Sequence, residues 1–139
     1  MAKFTLEIED EYPYSVTGIN TSLKGYRLAW NLNRLLDIHL ERQEPIELVN
    51  KQKDRVPYSC FTCFDEERNR KFRLIENRIG GNLFIPEQQR SDFLFVVDLE
   101  EGESANEWVT VLRSIKGVSM AFDIEIDTLK SKQNLLLTT

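Results

Sequence analysis

The sequence predicts an α+β fold, with two main helices on a mostly antiparallel sheet in a single compact domain. Short segments in which apolar and polar residues alternate recur between turn residues, a pattern typical of strands. Two longer segments, at about 22–38 and 105–116, instead have the apolar spacing of helices. Their order is two strands and a helix, several strands, and then strand, helix and strand, which favours this fold class.

One domain accounts for most of the chain. The 139 residues are enough to bury a sizeable core, and we place the domain at residues 1–127. Residues 128–139 form a C-terminal tail that is polar until Leu135-Leu136-Leu137, which could dock on the domain.

Two strands are predicted before the first helix. Apolar and polar side chains alternate over residues 4–8, and residues 14–19 have a second strand pattern. The helix is predicted to run from Ser22 to Ile38. Its N-cap is one of three adjacent residues with side-chain oxygens: Asn20, Thr21 or Ser22.

The first helix is apolar over more than half of its circumference. One apolar arc is formed by Leu28, Ala29, Leu32, Leu35 and Leu36, and an adjacent arc is formed by Leu23, Tyr26 and Trp30. Two neighbours are therefore expected, and the simpler pair is the sheet and another element of the same chain. The alternative is that Tyr26 and Trp30 lie in an interface with a partner protein or a second copy, where aromatic residues are enriched.

The middle of the chain is predicted to be extended. Residues 40–49 are interrupted by Gln43-Glu44-Pro45, and residues 56–65 and 70–77 form a β-hairpin across the polar turn at 66–69. Gly80-Gly81-Asn82 is a second turn.

The remaining elements follow from local signals. Residues 92–98 are almost continuously apolar, which indicates a central strand covered on both faces. Ser104 and Glu107 form a capping box, and the helix ends before Gly117. This helix buries Trp108, Val111, Leu112 and Ile115. A last strand at 118–126 places one set of apolar residues on one face: Val118, Met120, Phe122, Ile124 and Ile126.

The two cysteines, Cys60 and Cys63, are predicted to be half-buried strand thiols. Their neighbours favour a strand, in which positions i and i+3 lie about 10 Å apart and face opposite sides. A disulfide requires Cα atoms within about 7 Å. A zinc site needs two further ligands, and His39 is the only histidine.

The sequence predicts no catalytic residue, metal site or cofactor. His39 follows the first helix, where it interacts with the helix dipole, and no glycine-rich phosphate loop occurs. The net charge of −5 disfavours binding to nucleic acid or to an anionic membrane surface. Without an apolar leader or a long apolar run, a cytoplasmic location is expected.

Two rival functions start from charged residues. Glu87 and Asp92 flank a stiff corner at Ile85-Pro86, and together they offer carboxylates for a metal- or nucleotide-dependent enzyme site. Closing a turn through nearby backbone N–H groups is the simpler role for Glu87.

The basic hairpin at 68–78 suggests the second rival, an RNA-associated protein that uses Arg70, Lys71 and Arg73. Acidic residues at 66, 67 and 76 dilute its charge, and no stacking aromatic residues separate the cations. A solvated strand face is therefore the simpler interpretation.

Three segments resemble a bacterial family without assigned activity, the IPExxxVDY family. They are Ile85-Pro86-Glu87 followed by Ser91-Asp92-Phe93, the stretch from Gly18 to Asn33, and the stretch from Lys130 to Leu137. Ser91 and Phe93 depart from the signature, which has Val and Tyr there. We read Phe93 as a packing residue.

The leading expectation is a non-catalytic binding or assembly module for an unknown protein partner or a homodimer. A compact core combined with few catalytic groups motivates it. The predicted binding residues are Tyr26, Trp30, Pro86, Glu87 and Asp92.

Overall fold

The structure, a computed structural model, describes residues 14–100, 103–104, 106–131 and 133–135. The strand predicted at 4–8 lies outside these residues. The strands are β1 Tyr14–Thr21, β2 Glu41–Arg42, β3 Ile46–Val49, β4 Arg55–Tyr58, β5 Cys60–Asp65, β6 Arg70–Glu76, β7 Arg78–Ile79, β8 Asn82–Leu83, β9 Phe93–Asp98 and β10 Val118–Ile124. The helices are α1 Gly25–Leu36 and α2 Asn106–Arg113, and a 3-10 turn follows at Ile126–Thr128.

The α+β fold class is confirmed. Six strands form one antiparallel sheet in the order β10-β1-β9-β6-β5-β2, and β3 with β4 and β7 with β8 form two small hairpins. The predicted hairpin of β5 and β6 is confirmed, as is the central place of β9 between β1 and β6. No helix of the described residues is long and apolar enough to cross a membrane.

Apolar layers cover both faces of the sheet. On one face, α1 and α2 bury Leu28, Leu32 and Leu112 against Phe72 and Phe95. On the other face, the β3–β4 hairpin, the corner at 84–85 and the C-terminal residues form a second layer, whose members include Val56, Tyr58, Phe84, Ile85, Leu129 and Leu135. Alternate residues of β9 enter the two layers, which is why its sequence is almost continuously apolar.

The prediction of one strand over 56–65 is wrong at Ser59. The backbone N–H and hydroxyl of Ser59 both donate to Glu76 Oε1, at 3.2 and 2.9 Å, and the strand is interrupted there. Before this break, β4 lies outside the main sheet and pairs with β3.

Helix α1 begins later than predicted, and its N-cap is Lys24, which makes no side-chain capping bond. The candidate cap Thr21 has another role: its hydroxyl accepts from Leu23 N and donates to Gly117 O at 2.6 Å. Leu35 was expected in the buried arc, but its side chain is exposed. The helix ends at Leu36, and its C-cap Asp37 has a left-handed φ of 54°.

A β-bulge overturns the prediction that Val118 and Phe122 share a face. The register between β1 and β10 shifts at Asn20 and Thr21. Val118 therefore packs on the helix side, whereas Phe122 packs in the opposite layer. Met120 was expected on the buried face and is exposed, and the strand ends at Ile124.

The described part of α2 follows its predicted pattern with one exchange. Trp108, Leu112 and Ile115 are buried as expected, but Val109 is buried and Val111 is only partly covered. Gly117, at a φ of +103°, lets the chain turn back toward β10. A Cβ atom at Gly117 would lie 2.8 Å from Leu23 Cγ, so no side chain fits there without a shift.

Candidate functional site

Two large aromatic side chains lie exposed on α1. Tyr26 is 62% exposed and Trp30 is 57% exposed. They are four residues apart, so they are neighbours on one stripe of the helix surface. Arg34, one turn further, places its guanidinium carbon 5.1 Å from the Trp30 ring centroid. We call Tyr26, Trp30 and Arg34 the aromatic stripe.

A groove of about 450 Å³ lies where the aromatic stripe begins. It opens between the N-terminus of α1 and the adjoining ends of β1, β5, β6 and β9. Tyr26 and Asp92 both line it, so the structure brings these two predicted residues together. We call this cavity the helix groove.

Asp92 holds one wall of the helix groove together. Its Oδ2 accepts from Thr21 N at 2.9 Å, and its Oδ1 forms an ion pair with Arg78 Nε at 3.2 Å. Its backbone N–H donates to Ile19 O at 2.7 Å. These bonds connect β1, β7 and β9, so both carboxylate oxygens of Asp92 are already engaged.

The opposite wall is a short polar chain that sequence reasoning missed. Glu76 accepts two hydrogen bonds from Ser59, and Arg42 Nη2 donates to the Ser59 hydroxyl at 3.2 Å. The Arg42 guanidinium carbon also lies 5.5 Å from the Phe61 ring centroid. No local pattern marks these residues, because they come from three different strands and loops.

Pro86 and Glu87 lie elsewhere. Pro86 lines a groove with Tyr58 and Asn134, in the layer on the face of the sheet opposite the helices. Glu87 Oε1 accepts from the hydroxyl of Ser131 at 2.8 Å. The five predicted binding residues therefore do not form one surface: the aromatic residues and Asp92 lie beside α1, and the Pro86-Glu87 corner packs toward the C-terminal residues.

Asn77 shapes the corner, and sequence reasoning did not single it out. It is fully buried, and its Nδ2 donates to Gln88 O at 2.9 Å and to Ser91 O at 2.8 Å. Its Oδ1 accepts from Ile85 N at 2.7 Å. Its only sequence signal is an amide at the end of a predicted strand, which is too common to identify such a role.

The carboxylates predicted for an enzyme site, Glu87 and Asp92, have other contacts in the structure. Glu87 bonds to Ser131, whereas Asp92 lines the helix groove and is paired with Arg78. Among the described residues, no group of three His, Cys, Asp or Glu side chains is placed to hold a metal. Cys60 and Cys63 are free thiols in β5, and Cys60 is buried. Burial raises the pKa of the Cys60 thiol, against the lowering effect of Lys71 and Arg73, and this opposes thiolate formation.

Two of the three predicted RNA-contacting residues are buried. Arg70 is 8% exposed, with Nη2 2.7 Å from Glu103 Oε1 and its guanidinium carbon 5.5 Å from the Trp108 ring centroid. Arg73 is 6% exposed and pairs with Asp98 at 3.6 Å. Lys71 is partly buried. The cations of this hairpin are thus used mostly within the fold.

Contacts with Glu100 and Arg70 favour the charged form of Glu103. The backbone N–H of Glu100 donates to its carboxylate at 2.6 Å, and together with the Arg70 guanidinium this lowers the Glu103 pKa. The Arg70–Glu103 pair thereby connects β6 to a residue just before α2.

Comparison with known proteins adds no relative. No protein-family model matches the chain, and no curated protein matches it. The resemblance to the IPExxxVDY family therefore stays a prediction.

Proposed function

We propose that this protein is a non-catalytic binding or assembly module that docks a protein on the aromatic stripe. The exposure of Tyr26 and Trp30 is the observation that supports it. Aromatic and arginine side chains dominate the energetics of protein interfaces, and neighbouring exposed apolar side chains mark interaction sites.

The core does not require these rings. The buried side of α1 is already complete, with Leu28 and Leu32 fully covered and Ala29 nearly so. Tyr26 and Trp30 therefore contribute little to folding, and their value lies in what they contact outside the monomer.

The helix groove supplies a polar counterpart to the aromatic stripe. Tyr26 belongs to both, and the groove walls carry the Asp92–Arg78 pair and the Arg42–Ser59–Glu76 chain. An apolar centre with a polar rim is the usual anatomy of a protein interface. The occupant is a partner protein or a second copy of the chain.

Sedimentation velocity tests the second copy directly. If it is the occupant, wild-type protein sediments as a dimer and Trp30→Ala as a monomer. Val49→Ala is the matched control, because Val49 is 65% exposed on β3, away from α1. At a protein concentration low enough for all three to be monomeric, their free energies of unfolding are expected to agree within about 0.5 kcal/mol, since surface substitutions rarely exceed this.

If wild-type protein is a monomer, the next experiment searches for a different partner protein. Affinity capture from the native cell, read by mass spectrometry, is then expected to yield a protein retained by wild type and Val49→Ala but lost with Trp30→Ala. Absence of both a dimer and a Trp30-dependent partner would refute the proposed function.

Membership of the IPExxxVDY family and a cytoplasmic location belong to the same proposal. The three matching segments support the first, and the second is the default expectation for this sequence. The rival enzyme and RNA functions gain no specific observation, because Glu87, Asp92, Arg70 and Arg73 are engaged in contacts within the fold.

A further inference from the structure

Strand β5 is only partly covered along its outer edge. Strand β2 pairs with it at two positions, Glu41 with Thr62 and Arg42 with Phe61. Cys63 and Asp65 direct their backbone N–H and C=O groups toward β6, so Phe64 is the residue after Thr62 in β5 whose backbone groups face this edge. In the part of the chain that the structure describes, no strand pairs with Phe64 on this side. An open strand edge is a template on which an extended segment of another protein can pair.

A groove of about 520 Å³ runs along this open edge. One wall is β5 with the turn that follows it, and the other wall is the segment 37–43 after α1. We call this cavity the edge groove. It is separate from the helix groove, although neighbouring residues of β2 contribute to both, Glu41 to the edge groove and Arg42 to the helix groove.

Hydrogen bonds brace both walls of the edge groove. Leu40 N donates to Asn33 Oδ1 at 2.7 Å, and Asn33 Nδ2 donates to Leu40 O at 3.3 Å, which ties segment 37–43 to α1. On the other side, Arg68 Nη2 donates to Leu36 O at 2.7 Å and Arg68 pairs with Asp65. The groove is therefore held open by the fold.

The edge groove carries an excess of negative charge. Five carboxylates line it: Asp37, Glu41, Asp65, Glu66 and Glu67. Asp65 is neutralised by Arg68, whereas no ion pair among the described residues involves the other four. Such a field attracts cationic side chains and repels a second acidic edge, so pairing between two copies of β5 is disfavoured.

Phe64 offers an apolar anchor on the same edge. Its side chain is 57% exposed, while its neighbour Cys63 faces the opposite side and is partly buried. An added strand that alternates apolar and basic residues would place the apolar ones beside Phe64 and the basic ones near the carboxylates.

We propose that the edge groove binds an extended, basic segment of a partner protein, which adds as a strand to the outer side of β5. The backbone N–H and C=O of Phe64 provide the pairing, and the four carboxylates without an ion pair among the described residues select Lys or Arg. This inference does not depend on the aromatic stripe, so Trp30→Ala is expected to leave it unaffected.

A synthetic peptide serves as the probe. A fluorescently labelled ten-residue peptide of alternating lysine and valine is titrated with the full chain and followed by anisotropy. We expect binding at low salt that weakens as salt rises, and slower hydrogen exchange at the amide of Phe64 in the complex. Absence of binding at low salt, or binding without protection of the Phe64 amide, would overturn the proposal.

A second peptide separates strand pairing from charge attraction. It has the same residues, but alternate backbone nitrogens are methylated so that they cannot donate hydrogen bonds. It retains every charge, and we expect its affinity to fall at least tenfold, about the loss of 1.4 kcal/mol that two weak hydrogen bonds represent. Equal affinity of the two peptides would refute strand addition.

Paired charge variants separate the groove from the overall charge. Glu66→Lys with Glu67→Lys is expected to weaken peptide binding about tenfold at low salt. Glu125→Lys with Asp127→Lys makes the same change in net charge just after β10, the strand at the other edge of the sheet, and is expected to change it less than about twofold. All four side chains are exposed, and Glu66→Gln with Glu67→Gln replaces the first pair if it misfolds. Equal weakening by both pairs would refute a specific site.

Discussion

The helix groove and the edge groove lie on either side of β2 and use acidic residues in opposite ways. In the helix groove, Asp92 is paired with Arg78, and Glu76 accepts two hydrogen bonds from Ser59. In the edge groove, four carboxylates make no ion pair among the described residues. Carboxylates of the first groove hold strands together, whereas those of the second remain available to a partner.

The largest expected effect tests whether the carboxylates of the helix groove hold strands together. Asp92→Ala removes the acceptor of Thr21 N–H and leaves Arg78 without its ion-pair partner, so we expect the free energy of unfolding to fall by about 2–3 kcal/mol. Urea denaturation at neutral pH measures it. A loss below about 0.5 kcal/mol would show that the carboxylate does not hold the strands.

A smaller loss is expected at the opposite wall of the helix groove. Glu76→Ala removes the acceptor of both Ser59 donors, which are partly buried, and we expect a destabilisation of about 1 kcal/mol. Ser59→Ala deletes only the hydroxyl bond, so its cost in the same urea experiment should be lower. A larger loss for Ser59→Ala than for Glu76→Ala would contradict this assignment.

The buried thiol of Cys60, in the strand that lines the edge groove, predicts how stability depends on pH. Burial raises the pKa of Cys60 above its usual 9.0, so the folded state keeps this proton at a higher pH than the unfolded state does. The resulting stability is fully present below pH 9.0 and is lost as the pH rises through the folded pKa. The free energy of unfolding of wild type should therefore fall more steeply above pH 9.0 than that of Cys60→Ala. Equal slopes would contradict the raised pKa.

The smallest expected effect tests whether the carboxylates of the edge groove are free of structural contacts. Glu67→Gln removes a carboxylate that has no ion-pair partner among the described residues, so the free energy of unfolding should change by less than about 0.5 kcal/mol. The same urea measurement applies. A destabilisation comparable to that of Asp92→Ala would mean that the edge groove is held together by its acids and is not a free surface.

Sequence reasoning located most elements because their signals are local. The alternation in β5 and β6, the apolar run of β9 and the helical spacing of α2 each lie within one short segment. The errors occur where a distant residue intervenes. Ser59 interrupts a strand because Glu76 accepts its hydrogen bonds, and a bulge against β1 moves Val118 to the other face.

The candidate site was predictable in part for the same reason. Tyr26 and Trp30 follow from the helical period, but the separation of Pro86 and Glu87 from them depends on which face of the sheet each segment covers. Arg70 and Arg73 have the same sequence signal as solvated cations, and only the packing of Arg70 against Trp108 and the pairing of Arg73 with Asp98 show that they are buried.

By itself, the sequence determined the α+β class, the central place of β9 and the excess of aromatic residues on α1, because each depends on the periodicity of a few consecutive residues. Tertiary structure alone decided which charged side chains are paired within the fold and which have no ion-pair partner among the described residues. Asp92 meets Thr21 across 71 positions of the chain, and a charge interaction depends on distance in space, which the order of residues does not specify.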